Sequence, residues 1–575
     1  MKNIFICFVY LLISISVQAQ ENVRQVKIKK GQKYLNFPVS NAKELAKTRI
    51  KYKGKVLDEF TIGLADENID FWTFFDVSAY QGKTITVEVD NGKNNGKGID
   101  KIFADAGFPG QDSLYKEKLR PQVHFSSRRG WLNDPNGLIY HNGEYHLYYQ
   151  HNPYGWNWGN MHWGHAVSKD LVRWRELPDA LYTSKHEDMA FSGSAVVDVN
   201  NTSGFRKNGV NPLIAVYTST GRGEGLALSY DNGRTFNDYE GNPILKHKGR
   251  DPKVFWYEPG KHWVMIVWDE GKTKKMSQGQ DATIYQHLIY TSPNLKEWTY
   301  QSGVAGFFEC PELFQLPIEN EGGMSKWVMY DASGRYVIGD FDGKHFTIEQ
   351  SFKQYDHGGN FYASQTYNNA PNNRRIQIGW GRDLTTKGMP FNQSMTFPTE
   401  LKLKRTFDGL RLCPTPIKEI ESLYKNKNTF ENKLITSKNK FIAPLTGDAF
   451  HLTAEFEKGD AHTFGLNING YELAYSHLQG IFNKATYSNP DSENFKIEAI
   501  VDKGIIEVFV NDGELYYVAP LKSSPESEKK VEAFVRGPSE TKTVLKSLRI
   551  NELQSSWMEN PIKADTQKKD KTAVN

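Results

Sequence analysis

Cysteine is scarce. The 575-residue chain holds three, and Cys7 falls in an N-terminal segment read below as a cleaved leader. Cys310 and Cys413 lie too far apart to make a disulfide framework, so both are expected as free thiols. An excess of charge of one sign is also missing: Lys and Arg number 71 against 67 Asp and Glu, a net of +4. With no regularly spaced basic stripe, the chain gives no footing for nucleic-acid binding. The apolar run near the N-terminus is too short and wrongly flanked for a transmembrane helix. No Cys closes it to carry a lipid, so no membrane anchor is expected. What remains is an ordinary globular composition, 38% hydrophobic and 24% charged, long enough for roughly three or four domains.

Met1-Lys2-Asn3, an apolar stretch from Ile4 to about Ile15 and then Val17-Gln18-Ala19 form a charged start, a hydrophobic segment and a small-residue cleavage site. Residues 1–19 therefore read as a signal peptide, and the product as exported to the periplasm or the medium. Aromatics are plentiful at 13%, with 13 Trp and 29 Tyr, which suits β architectures and sugar-stacking pockets. Within 20–119, Thr84-Ile85-Thr86-Val87-Glu88-Val89 alternates strictly and ends at Asp90-Asn91-Gly92. Phe60 to Leu64 and Phe71 to Phe75 are further strand candidates, and a small β-sandwich-like module fits.

Residues 120–410 carry a repeat. Ser168-Lys169-Asp170-Leu171 closes on Trp174, Ser229-Tyr230-Asp231-Asn232-Gly233 on Phe236, Ser292-Pro293-Asn294-Leu295 on Trp298, and Gly339-Asp340-Phe341-Asp342-Gly343 on Phe346. Each is a polar turn between two strand-like stretches, and the spacing of 47 to 63 residues approximates a four-stranded blade. Over this length the period predicts a propeller of about five blades. Leu412-Cys413-Pro414-Thr415-Pro416 breaks the pattern, so 411–429 reads as a linker with a short helical piece from Ile417 to Tyr424. Residues 430–553 read as a second β-sandwich, and 554–575 as a disordered polar tail. The expected fold class is all-β.

The stretch Trp131-Leu132-Asn133-Asp134-Pro135-Asn136-Gly137 is dense in turn formers, and a second turn follows at Asn142-Gly143. It is expected to hold Asp134 at a strand entrance; the plainer reading is an Asp capping a turn. Two further acids keep similar company: Asp251 in Arg250-Asp251-Pro252 and Glu309 in Glu309-Cys310-Pro311. They fall on different blades, and inner strands of a propeller can bring such residues to one mouth. Converging carboxyls suit glycosyl transfer, in which one ionised group attacks or supports the anomeric carbon and one protonated group releases the leaving oxygen. Burial beside another carboxylate keeps such an acid protonated. A metal site is the rival reading, but no His stands at ligand spacing and no EF-hand-like loop appears; neither metal nor cofactor is expected.

These motifs resemble those of glycoside hydrolase family 32, the β-fructofuranosidases that include invertases, inulinases and levanases. Trp131 to Gly137, Arg250-Asp251-Pro252 and Glu309-Cys310-Pro311 stand in the family's order, with Phe191-Ser192-Gly193-Ser194-Ala195 and Tyr149-Gln150-His151-Asn152-Pro153 also similar. The resemblance covers about 120 to 553. It implies a five-bladed propeller followed by a β-sandwich. It also implies a retaining reaction with Asp134 as nucleophile, Glu309 as general acid/base and Asp251 as stabiliser, and a fructan or sucrose-type substrate. Asn133 and Gln150 match family residues that bond the terminal fructose or the nucleophile, and Arg250 can fork onto hydroxyls or a carboxylate. Trp158, Trp380, Phe191 and Ser192 match pocket walls, although core packing is the plainer role for a propeller Trp. The family often has Asp where this chain has Asn360, before Phe361-Tyr362-Ala363, which bears on subsite contacts. Other readings of the same residues are a transfructosylating enzyme, a catalytically silent fructan-binding propeller, and an inverting arabinan-degrading relative. Nothing in the sequence specifies linkage preference or oligomeric state.

Overall fold

The computed structural model describes residues 21–90, 97–182, 185–271, 273–275, 281–384, 386–487, 492–522, 529–538 and 540–557. The expected signal peptide and the tail beyond 557 lie outside the described residues. The chain divides into two compact units at Pro109/Gly110, so residues 110–119, expected with the N-terminal module, belong to the second.

In the first unit a four-stranded antiparallel sheet runs in the order Glu21–Lys27, Thr84–Asp90, Ala46–Tyr52, Lys55–Ile62, beside a three-stranded sheet of Phe71–Asp76, Tyr34–Val39 and Phe103–Asp105. The alternation predicted for Thr84 onward is realised, with Ile85, Val87 and Val89 buried. Phe37 of one sheet meets Phe60 of the other edge-on at 5.7 Å, so two half-apolar sheets bury their shared faces as a sandwich does.

The second unit opens with five sheets of antiparallel strands, one of them extended by a short parallel strand, whose innermost strands are Gly130–His141, Ala190–Val197, Gly249–Tyr257, Glu312–Pro317 and Phe361–Thr366. This is a five-bladed β-propeller. The sequence repeat marks the same element in four blades, the hairpin between third and fourth strands. Its chemistry is common to all four: Asp170, Asp231, Asn294 and Asp342 each accept two successive backbone N–H groups from the turn, as in Val172 and Arg173 to Asp170. A short acceptor side chain thus replaces the bonds that the turn removes from the ladder. Blade five lacks the closing aromatic. Its hairpin turns tightly through 406–409 with Phe407 exposed, which is why the repeat faded there.

The ring closes where Phe391–Asn392, an excursion of blade five, pairs in parallel with Gly130 and Trp131 of blade one. The inner strands are also tied by charge. Lys253 Nζ lies 2.8 Å from Glu312 Oε1 and donates to the Thr366 carbonyl at 2.8 Å. Thr366 Oγ1 donates to Glu312 Oε2 at 2.7 Å. Three blades share this buried network.

Blade five runs through the strand Gly409–Pro416, and the first strand of the sandwich is Tyr424–Thr436. The connector between them is therefore 417–423, holding the 3-10 turn Lys418–Leu423, shorter than the 411–429 expected. Two six-stranded antiparallel sheets form the C-terminal β-sandwich. Residues 554–557, expected in the disordered tail, are docked: Trp557 stacks on Tyr115 at 4.2 Å and donates to the Pro121 carbonyl at 2.7 Å.

Candidate active site

The turn formers around Asp134 do not end a strand. Gly130–His141 is continuous and absorbs them as two register shifts against Glu144–Asn152, one between Leu132 and Pro135 and one between Asn136 and Ile139. A true turn follows at Asn142-Gly143, both at positive φ, the geometry that matches strand twist in a two-residue hairpin. The same irregularity recurs on other inner strands: between Ala190 and Gly193, between Arg250 and Lys253, and between Tyr362 and Gln365. Bulges re-aim side chains that a regular pleat would point elsewhere, and these carry Asp134, Ser192, Asp251 and Ala363. Blade four contributes Glu309 and Cys310 from the segment just before its first strand. Asp251, Glu309 and Cys310 all sit at positive φ, a conformation that costs non-glycine residues energy and persists where surroundings enforce it. Gly193 is required beside Ser192, because a Cβ there would lie 2.0 Å from the Val216 carbonyl.

The three acids converge. Asp134 accepts from Ser192 Oγ at 2.7 Å and from Asn133 Nδ2 at 3.0 Å. Asp251 accepts from the Cys310 backbone N–H at 3.2 Å. The Cys310 thiol lies between the two, with Sγ 3.6 Å from Asp134 Oδ2 and 3.5 Å from Asp251 Oδ2. Glu309 is gripped by the Arg250 guanidinium on Oε1 and by the Tyr362 phenol on Oε2, the latter at 2.7 Å. Arg250 also lies over the Trp268 ring, 4.2 Å from its centroid. Trp380 meets Trp131 at 5.8 Å and Tyr362 at 6.0 Å, edge-on in both cases, and Trp131 donates to Asn133 at 2.9 Å.

The remaining expected residues stand further out. Phe191 meets Trp158 at 6.0 Å, and Trp158 is 52% exposed. Gln150 is buried and donates to the Ala190 carbonyl at 3.1 Å; it fastens the strand entry beside Ser192, and among the described residues no bond joins it to the three acids. Asn360 and Arg382 exchange bonds at 2.8 Å, Asn360 Nδ2 to the Arg382 carbonyl and the Arg382 N–H to the Asn360 carbonyl. This sets Arg382 over the Tyr362 ring at 4.8 Å.

Residues 124–416 match the Glycosyl hydrolases family 32 N-terminal domain, and 419–552 match the Glycosyl hydrolases family 32 C terminal. The chain belongs to glycoside hydrolase family 32. A levanase of Bacillus subtilis is 37% identical over 511 residues, covering 78% of this chain and 72% of the relative. An extracellular exo-inulinase of Aspergillus awamori is 32% identical, with 72% and 91% covered. The solved exo-inulinase of Aspergillus awamori superposes with a TM-score of 0.66 at 28% identity, over 77% of this chain and all of that one. A β-fructofuranosidase of Schwanniomyces occidentalis, complexed with fructosyl-erythritol, gives 0.66 at 27% identity, over 77% and 99%.

Glycoside hydrolysis by paired carboxyls calls for one ionised acid and one that lends a proton. Burial raises the Asp134 carboxyl, while Ser192 and Asn133 pull it back toward ionisation. Asp251 stands well above the usual carboxylate range through burial, and the neighbouring Asp134 charge adds to this. Burial and the same carboxylates push the Cys310 thiol up, so it stays protonated and serves as a donor. Among the described residues no group of His, Cys, Asp and Glu could hold a metal ion. Tyr362 carries no sequence signal of its contact with Glu309; Asn360, two residues before it, stands out only as a departure from the family pattern.

Proposed function

We propose that this enzyme is an exported, retaining β-fructofuranosidase that removes terminal fructose from fructans and also accepts sucrose. The observation that carries the reading is the set of contacts around Asp134 and Glu309: one carboxyl with neutral donors on both oxygens, the other held between a guanidinium and a phenol. Glu309 delivers its proton to the glycosidic oxygen as the Asp134 carboxylate attacks the anomeric carbon. The C–O bond to the leaving sugar breaks and a fructosyl ester forms. Glu309, now ionised, takes a proton from water, whose oxygen attacks the same carbon. The ester breaks, fructose leaves with its configuration retained, and both acids return to their starting states. Asp251 binds fructosyl hydroxyls. Its raised proton affinity and the adjacent Arg250 suit a group that shares protons with a polyol.

The relatives named levanase and exo-inulinase support a polymer over a disaccharide and action from the chain end. The leader-like N-terminus, and relatives described as extracellular, support export. Fructose release from levan, inulin and sucrose, by wild type beside Asp134→Asn and Glu309→Gln, tests the assignment. Wild type is expected to release fructose, and each variant to lose at least about a thousandfold in kcat. A wild type that binds fructan but cleaves none of the three would make the propeller a receptor and void the mechanism.

A further inference from the structure

An aromatic wall leads outward from Glu309. Trp268, 2% exposed, lies under the Arg250 guanidinium that grips Glu309. Half-buried Phe308, the residue before Glu309, meets Trp268 at 5.4 Å, and Tyr285 meets Phe308 at 5.0 Å. Tyr285 is 40% exposed and Ile284 beside it 37%. The wall is fixed by backbone: the Gly306 N–H donates to the Tyr285 carbonyl at 2.9 Å, and a Cβ on Gly271 would lie 1.9 Å from the Ile284 carbonyl. Ligand sites are lined mainly by apolar and aromatic side chains around a few polar groups, and these rings touch one another in a continuous row beside the carboxyls.

We infer that Tyr285, backed by Phe308, is a stacking platform for the departing portion of a fructan chain and sets preference for polymer over disaccharide. The inference rests on Glu309 being the acid. Whatever sugar departs must then lie on the Glu309 side of the reacting bond, which is the side of Phe308. The C–H faces of a furanose ring are apolar and cover an aromatic face with gain from both dispersion and released water. Phe308, adjoining Glu309, serves the first departing ring. Tyr285, further along the wall, serves the next, which a fructan has and sucrose lacks.

The test is the ratio of kcat/KM for levan or inulin to that for sucrose, in wild type, Tyr285→Ala and Tyr285→Phe. The Ala variant is expected to lower the ratio about fivefold, mainly through KM for the polymer, and the Phe variant to keep it. An unchanged ratio in Tyr285→Ala overturns the inference, and an equal fall in Tyr285→Phe overturns it in favour of a hydroxyl contact. Thermal midpoints of both variants separate this from misfolding; should Tyr285→Ala not fold, Tyr285→Gln replaces it. If wild type cleaves none of the three substrates, the mechanism has failed and not the platform.

Discussion

The Tyr362 phenol donates to Glu309 Oε2 at 2.7 Å, opposite the Arg250 guanidinium on Oε1. A carboxyl held from both sides has one orientation, and that orientation decides whether its proton lies in line with a leaving oxygen. Burial and the Glu309 charge raise the phenol's own proton affinity, so Tyr362 remains a donor across the working range. Its ring is fixed by Trp380 on an edge and Arg382 on a face.

Removing only the hydroxyl, in Tyr362→Phe, is therefore expected to lower kcat about ten- to a hundredfold with little change in KM. This is the size expected for one hydrogen bond to a carboxyl that becomes charged as it gives up its proton. The loss should be greatest for poor leaving groups. A loss confined to KM, equal for good and poor leaving groups, would show that the phenol binds substrate and does not position Glu309.

Ser192 gives a prediction with the opposite chemistry. In the proposed reaction Asp134 attacks as the ionised carboxylate. Burial raises its carboxyl, and the 2.7 Å bond from Ser192 counters that rise. Ser192→Ala removes the donor, so Asp134 holds its proton to higher pH. The acid limb of kcat/KM should move upward by about one pH unit, with activity at the optimum largely kept. A limb that stays in place, or moves down, would remove Ser192 from the ionisation of Asp134.

The propeller was legible because its hairpin turns use one device four times, an Asp or Asn that accepts two turn N–H groups, and spacing preserves it. The three acids were legible because each sits in a short motif beside Pro or Cys-Pro. What the sequence hid is long-range or conformational. Turn formers at 133–137 become bulges inside a continuous strand, because pairing with Glu144–Asn152 continues past them. Tyr362 reaches Glu309 across 53 positions, and no periodicity announces such a contact. Trp557 looked like part of a polar tail until its stacking on Tyr115 placed it.

His124 shows how strongly the propeller is joined to the sandwich. Its imidazole is fully buried between Asp502 at 3.0 Å and Glu507 at 3.0 Å. Asp502 also accepts the backbone N–H groups of Gln122, Val123 and His124. Burial alone would depress the imidazole, but the bonds to Asp502 and Glu507 outweigh it and raise its pKa to about 9. An unfolded His titrates near 6.5. The stabilisation is thus complete below about pH 6.5 and is lost as pH rises through 9, where the folded imidazole gives up its proton between two carboxylates. The apparent thermal midpoint should therefore fall between pH 6.5 and 9.5 in the wild type. His124→Gln, which cannot carry the charge, should start lower by the equivalent of about 3–5 kcal/mol and show a flatter dependence over the same range. Thermal denaturation of both proteins at half-unit pH steps makes the comparison. Parallel slopes in the two would mean that the alkaline loss arises elsewhere and that His124 is neutral in the folded enzyme.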